Sequence, residues 1–583
     1  MVAEVLREFG RKSVIFLRNQ KALTKRGGEI LHKTARKMVV ALSLLCLLVL
    51  TACQSGDKGE SEKVTSEKKA KVVNIMETSG IPNASPTLAD NSVSFRVINQ
   101  IFEGLYRLDK NGKPALALAA SEPEEKDGGK TLIFKIRDDA KWSNGDPVTA
   151  HDFEYAWKKV VDPKTAAAYG PQMEEIVKNA TQILKGEMSP DELGIKALDD
   201  KTLQIELENP VPIFKELLTT GTFFPQNQAF VEKQGDRYGT KSDTLISNGP
   251  YKLENWNGTN MTWDYVKNPT YWDKKNVPTE KIHVTVVKDT NAALNLYNTN
   301  KLDRVELDGE FVKQYKDDKN FHKEATGRSV YMKMNQGKDG VKTDLANLNL
   351  RRALAMAIDK TGMVNTLLAN GSKALNGDVP ADIMFDPETK EDFRKQNGDL
   401  LKFDQQEAIS AWKQGLKEIG KSELTLTLTS GDTSLQRKQT EFIQNQLEEN
   451  LPGLTIKLKN VTNQASFQAD VTQDFELLLG GWGGDYQDPL TYLNLFLTNS
   501  PGNHTGFSDA KYDELVLGAK GKLSANPEKR WQALLEAEQI LLKDNAVLIP
   551  LYQGGRAYLQ KSNLKNYTTY PIGSENYKWI EKN

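Results

Sequence analysis

Cysteine and histidine, the residues that most often carry metal or nucleophilic chemistry, are scarce in this 583-residue chain, which has two of the first and five of the second. Two cysteines cannot build a disulfide framework. His32 lies near the N-terminus, and His151, His283, His322 and His504 are far apart, with no HExxH or Cys/His ligand spacing, which argues against a metal hydrolase. No GxSxG elbow is present, and the glycine-rich "GGWGGD" lacks the Lys-Ser/Thr pair that closes a phosphate loop. Excess positive charge is missing as well. The formal charge is −1, and because residues 1–52 hold ten Lys/Arg against three Asp/Glu, the remaining 67 basic and 75 acidic residues leave about −8. Such a balance does not make a nucleic-acid surface. Scattered carboxylates could still pair as in a secreted hydrolase, but so many acidic residues form pairs by chance.

The longest apolar run, "MVVALSLLCLLVLTAC", has an apolar centre of about a dozen residues, short of a comfortable membrane span and suited to a signal h-region. It follows "HKTARK" and ends in Leu50-Thr51-Ala52-Cys53, which resembles a bacterial lipobox. On that likeness residues 1–52 are removed, and Cys53 becomes the lipidated first residue, leaving no free thiol. The 37 residues before Met38 are long for an n-region, so translation is expected to begin near Leu31. The next stretch, "QSGDKGESEKVTSEKKAK", has almost nothing to bury and reads as a flexible tether over 53–71, reaching roughly 20–25 Å.

From Val72 onward strand and helix patterns alternate without repeats or long linkers. Period-2 alternation predicts a strand over Leu132–Ile136, and "LNLRRALAMAIDK" places Leu350, Leu354, Ala357 and Ile358 on one helical face. A helix is predicted after Asn526 as N-cap and Pro527, with Trp531, Leu534, Leu535, Leu541 and Leu542 inward, followed by a strand over Val547–Tyr552. Mixed α/β architecture with more than one lobe follows. "LLLGGWGGDYQDP" predicts a strand over Phe475–Leu479 that delivers a glycine-lined segment and Asp485 to a surface. By spacing alone this is a ligand-pairing edge or a tight turn capped by Asp485.

The stretches "FKIRDDAKWSNGDPVTAHDFEYAWKKVVDPKTAAAYG", "SNGPYKLENW", "KNPTYWD", "NLRRALAMAIDK" and "GGWGGDYQDPLTYLNLFLTNSPGNHTGFSDAKYDELV" resemble the oligopeptide-binding proteins of peptide ABC importers. The likeness runs from about Val72 to Lys582. It implies an α/β, two-lobed periplasmic-binding-protein-like (type II) fold with an additional third domain. The implied division is lobe I in three parts (72–106, 224–327, 552–583), the extra domain at 107–223, and the other large lobe at 328–551. It implies a monomer without catalysis or cofactor, with oligopeptides as ligand and a permease with its ATPases as partner. A dedicated signalling-peptide receptor is the alternative within the same architecture.

The resemblance also implies residue roles. Asp485 would receive the peptide α-amine within the Trp482–Tyr486 motif, and Gly481 and Gly483 would flank the strand that pairs with the peptide. Asn503 would help hold the first peptide residue, and Tyr169 would approach the same end. Asp90 and Ser92 would offer an acidic group and a strand beside the ligand, while Tyr297 and Tyr331 would line side-chain pockets. Departures are visible too. Gly483 stands where some relatives have a bridging cysteine, Leu479 where some have a basic partner for the peptide carboxylate, and a residue around Asn463 replaces a pocket tryptophan of relatives, leaving Arg437 as a candidate for the carboxylate.

Overall fold

The computed structural model of the protein describes residues 71–572 and 575–583. The signal segment, Cys53 and the tether to Ala70 lie outside the described residues.

Three sheets organise the chain. The first has strand order Val73–Glu77, Lys281–Val286, Thr262–Lys267, Tyr251–Glu254. Its outermost strand pairs in parallel with one about two hundred residues later, so the first described strand is held by the middle of the chain. The alternation of Val73 and Ile75 into the core and Asn74 and Met76 outward supplies the buried face. The second sheet is antiparallel, with order Glu124–Lys126, Thr131–Lys135, Thr202–Glu206, Ile195–Asp199. The helix Ala150–Val161 covers it, burying Phe153, Ala156, Trp157 and Val160, and the Thr149 and Asp152 side chains form a capping box at its start.

The third sheet contains β1 (Arg304–Leu307), β2 (Phe321–Met334), β3 (Leu424–Ser430), β4 (Leu454–Asn460), β5 (Leu477–Trp482) and β6 (Leu548–Gln560), in order β1-β6-β2-β5-β3-β4. The short strand Lys373–Ala374 also pairs with β6. β2 and β6 run side by side over most of their length, and their register shifts between Ala325 and Ser329 and again between Val330 and Tyr331. On one side of the first shift β6 carries β1, and on the other, from Ser329 onward, β2 carries β5. Thus β1, expected with lobe I, shares a sheet with strands expected in the other lobe, because two long strands pass from one region into the next. Gly555 marks the crossing: a Cβ there would stand 2.3 Å from the backbone of Gly371.

A charged network ties this crossing to the chain ends. Arg96 contacts Glu77 at 2.6 Å and Glu575 at 2.5 Å, while Arg556 contacts Glu306, Glu324 and Glu575 at 3.3, 3.0 and 3.4 Å. Burial works against the charge of Glu575, but Arg96 and Arg556 outweigh it and hold its pKa down at about 2.

Several local expectations agree closely with the structure. Asn526 accepts from the Lys529 amide at 3.0 Å and caps Pro527–Gln539, with Trp531, Leu534 and Leu535 buried. Leu350, Leu354, Ala357 and Ile358 are buried, although the helix ends at Met356. The strand near Leu132 spans Thr131–Lys135. Two strands differ. β6 runs to Gln560, beyond the predicted end at Tyr552, because "QGGRAYLQ" continues the ladder with β2. β5 begins at Leu477 and takes Gly480, Gly481 and Trp482 into the sheet.

Candidate functional site

β5 is paired differently on its two edges. Toward β2 it is antiparallel along its whole length, from Met334 opposite Leu477 to Ser329 opposite Trp482. Toward β3 it is parallel and paired only at Leu428/Leu477 and Thr429/Leu478. From Leu479 to Trp482 that edge has no strand partner among the described residues. Its amides and carbonyls are a template on which an extended chain can add as a strand. Gly481 is required by the pairing on the other side, since a Cβ there would stand 2.4 Å from the Ser329 carbonyl oxygen.

After Trp482 the chain turns through Gly484, at φ 34, and reaches Asp485. The Asp485 amide donates to Thr491 Oγ1 at 2.9 Å, which fixes the backbone of the turn. Its carboxylate accepts a single bond among the described residues, from Gln172 Nε2 at 3.0 Å. Burial pushes the Asp485 pKa up to about 7, opposed by that one hydrogen bond and by no nearby cation. Gln172 is itself buried, and its Oε1 has no partner. Two acceptors with unused capacity, the Asp485 carboxylate and Gln172 Oε1, therefore lie on two side chains joined by one hydrogen bond. A donor with several protons and a positive charge would satisfy both.

Aromatic and acidic side chains surround this point. Tyr169 stacks on Trp482 with ring centroids 6.2 Å apart and meets Phe95 edge-on at 4.7 Å. Burial raises the Tyr169 pKa, and the charges of Asp485 and Asp90 raise it further, placing both carboxylates in its surroundings. Asp90 accepts from the Asn91 side-chain amide at 2.8 Å. The fold thus gathers Asp90, Tyr169, Trp482 and Asp485 from three distant stretches. Segment 169–174 is also held from the Asp485 side. Lys520, buried, donates to the Pro171 carbonyl and lies 3.9 Å from Glu174. Burial lowers its pKa to about 8 against the pull of Glu174 and Glu175.

Other residues named from the sequence sit elsewhere or are already occupied. Ser92 opens the helix Ser92–Ile101 rather than a strand, because the Asn91 side chain accepts from the Ser94 amide and starts the helix there. Asn503 spends its amide on its own loop. Nδ2 donates to the Phe496, Leu497 and Phe507 carbonyls and Oδ1 accepts from Thr505 Oγ1, which leaves no free donor for a ligand. Tyr331 lies in the core, opposite Gly480 on β2 and against Phe496, at 2 % exposure. Tyr486 is buried as well. Tyr297 belongs to a separate apolar cluster with Leu302, Val305 and Leu307, under Lys561, because its helix packs on β1 and β6. Leu479 is buried, Arg437 is exposed and donates to the Asp432 carbonyl, and Asn463 begins the helix Asn463–Val471. Gln172 was missed. Its sequence signal is slight: it stands three residues after Tyr169 behind Pro171, in a short turn with no periodicity to read.

The family model for bacterial extracellular solute-binding proteins, family 5, matches residues 113–504. The chain belongs to this family. Among its relatives, the dipeptide-binding protein of Lactococcus lactis subsp. cremoris is 36% identical over 491 residues, covering 82% of this chain and 86% of its own. The solved structure titled Listeria monocytogenes OppA bound to peptide is similar at TM-score 0.85 and 45% identity, covering 88% of this chain and 99% of its own. The structure of the pheromone receptor PrgZ is similar at TM-score 0.83 and 37% identity, over 88% of this chain and all of that one (100%). The fold of this family 5 member is accordingly the multi-domain α/β type II periplasmic-binding architecture. No helix of the described residues is long and apolar enough to cross a membrane, and no acidic, histidine or cysteine cluster among them could hold a metal.

Proposed function

We propose that this chain captures oligopeptides between its lobes outside the cell, anchored by lipid on Cys53, and hands them to a membrane permease driven by ATPase subunits. The observation that carries the reading is the pairing of a bare strand edge, Leu479–Trp482, with an under-satisfied carboxylate at its end, Asp485. A free peptide fits both. Its backbone extends the sheet and its α-ammonium reaches Asp485 and Gln172, with Tyr169 and Trp482 closing one side. The names of the relatives, one for dipeptides and one a complex with peptide, support the same class of ligand.

Capture follows from the crossing strands. β2 and β6, with their shifted registers, serve as the hinge between lobe I (72–106, 224–327, 552–583) and the lobe at 328–551, with 107–223 as the extra domain. The bonds from Gln172 to Asp485 and from Lys520 to Pro171 join the extra domain to the opposite lobe and form only when the lobes close. Ligand that neutralises Asp485 removes the cost of burying a bare carboxylate and therefore favours closure. Roomy, hydrated side-chain pockets would let many sequences bind.

The test is calorimetry on the mature domain with one pentapeptide as free amine and as N-acetyl derivative. Tight binding of the first and loss of the second is the expected result, and equal affinity would remove the assignment of Asp485. A dedicated signalling role has its own support in the likeness to a pheromone receptor. Native mass spectrometry of co-purified ligands separates the two, a heterogeneous set indicating uptake and one sequence indicating signalling. Release of the protein from membranes by Cys53→Ser is the expected sign of the lipid anchor.

A further inference from the structure

One cation beside the bare edge remains unaccounted for. Arg328 lies on β2 at the register shift, and it is exposed. The single carboxylate of its own strand, Glu324, is already shared by Arg556 and Arg304. Arg328 enters no ion pair among the described residues, and its one side-chain-mediated contact is that of its backbone amide with Thr326 Oγ1, at 3.4 Å. Its guanidinium lies across Gly481 of β5 and Gly483 just beyond the strand end. Nη2 is 3.4 Å from where a Cβ on Gly481 would stand and Nη1 is 3.8 Å from one on Gly483. Val330 pairs with Gly481, and the alternation of strand side chains puts Arg328 on the same face as Val330, so the missing side chains of Gly481 and Gly483 are what gives the guanidinium its place. Its charge reaches Tyr331, Tyr492 and Tyr552, where it offsets part of the effect of burial on their hydroxyls.

We infer that Arg328 is a carboxylate subsite of the groove, fixing a carboxylate near the amino end of the bound chain. The inference rests on the peptide-binding reading and adds a preference to it. Gly483 and Gly481 precede Asp485 by two and four residues, at most roughly 7–13 Å of chain and less across the turn at Gly484. With an α-amine at Asp485, the guanidinium stands beside the second to fourth ligand residue. Two sources present a carboxylate there: an acidic side chain at those positions, or the C-terminus of a tri- or tetrapeptide. A guanidinium takes either one in bidentate fashion, and a neutral amide in its place leaves the cation unpaired.

Calorimetry on the mature domain separates these sources. One arm compares alanine pentapeptides carrying Glu or Gln at the second, third or fourth position. The other compares tri- and tetra-alanine as free acid and as C-terminal amide. At least one Glu/Gln or acid/amide pair is expected to differ tenfold or more in the wild type. Arg328→Gln abolishes that difference while penta-alanine binds within twofold of wild type, and Arg328→Lys keeps part of it. An unchanged preference in Arg328→Gln, or an equal loss for all peptides including penta-alanine, overturns the inference and leaves peptide binding standing. If no peptide binds the wild type, the peptide reading falls and this subsite with it. Thermal unfolding of Arg328→Gln at the wild-type temperature excludes a folding defect as the source of any change.

Discussion

Asp485 and Asp488 are three residues apart on one turn, and they illustrate two uses of a buried carboxylate. Asp488 is held by both nitrogens of Arg530 at 2.7 and 2.8 Å, beside a bond from Arg530 Nε to the Ala519 carbonyl. It joins the 485–493 turn to the helices behind it. Asp485 has one amide and no cation. The protein interior tolerates a carboxylate only when its charge is matched or its proton retained, so the second group is poised for something the chain itself does not supply. The same contrast separates Glu538, bound by Arg394 at 2.7 Å on each oxygen and by the Asp378 and Val379 amides, from any part of the groove. Asp488 and Glu538, each saturated by an arginine, build the structure around the groove, and Asp485, with one amide and no cation, marks the site.

The largest effect should come from breaking the saturated pair. Asp488→Ala leaves Arg530 buried without a partner and is expected to cost about 3–5 kcal/mol of folding stability, read by urea unfolding; a cost near zero would end the contrast. Asp485→Ala should do the reverse. It is expected to leave unfolding unharmed while weakening a free-amine peptide by about 2–5 kcal/mol, and calorimetry with the N-acetyl peptide should show no further loss.

The third expectation concerns pH. With its pKa pushed up to about 7, Asp485 contributes stability that is complete below its unfolded value near 3.8 and is lost as pH rises through about 7. The ligand-free protein should therefore gain from Asp485→Asn at pH 8 and little at pH 5. Peptide affinity runs the opposite way, because the proton competes with the α-ammonium: it should fall by up to about tenfold per unit below pH 7, and Asp485→Asn should flatten that slope. Glu77 and Asp378 are also pushed up to about 7 by burial, so the difference between variant and wild type is the quantity to follow. The smallest effect compares two glycines of the same strand end. Gly481→Ala meets the Ser329 carbonyl and is expected to cost about 1–3 kcal/mol, whereas Gly483→Ala, with its nearest neighbour 3.8 Å away, should stay within about 0.5 kcal/mol in thermal unfolding.

Much of the secondary structure was legible because it depends on near neighbours. Asn526 and Pro527 announce their helix by capping chemistry, and the Leu132/Phe134 alternation announces its strand. The predicted end of β6 at Tyr552 is where the apolar run stops, while the pairing of Gly555 with β2 and its close approach to Gly371 come from residues more than 180 positions away. The site followed the same division. Asp485 and Trp482 stood out by motif, but Asn503, in a motif of the same stretch, proved to be a loop brace whose amide is fully used by neighbouring carbonyls. Tyr297 and Tyr331 are aromatic residues at plausible positions, and a tyrosine's sequence context does not tell a packed ring from one that lines a groove.

By itself, then, the amino-acid sequence determined the charge balance, the scarcity of metal and nucleophile chemistry, the helix caps and the glycine-framed Asp485, since each is a property of composition or of residues a few positions apart. Which carboxylate lacks a cation, which edge of β5 stays bare, and that Pro171 and Gln172 meet Lys520 and Asp485 were decided only in three dimensions. The physical reason is that pairing is a property of all the groups within a few ångströms, and those groups arrive from segments hundreds of residues apart.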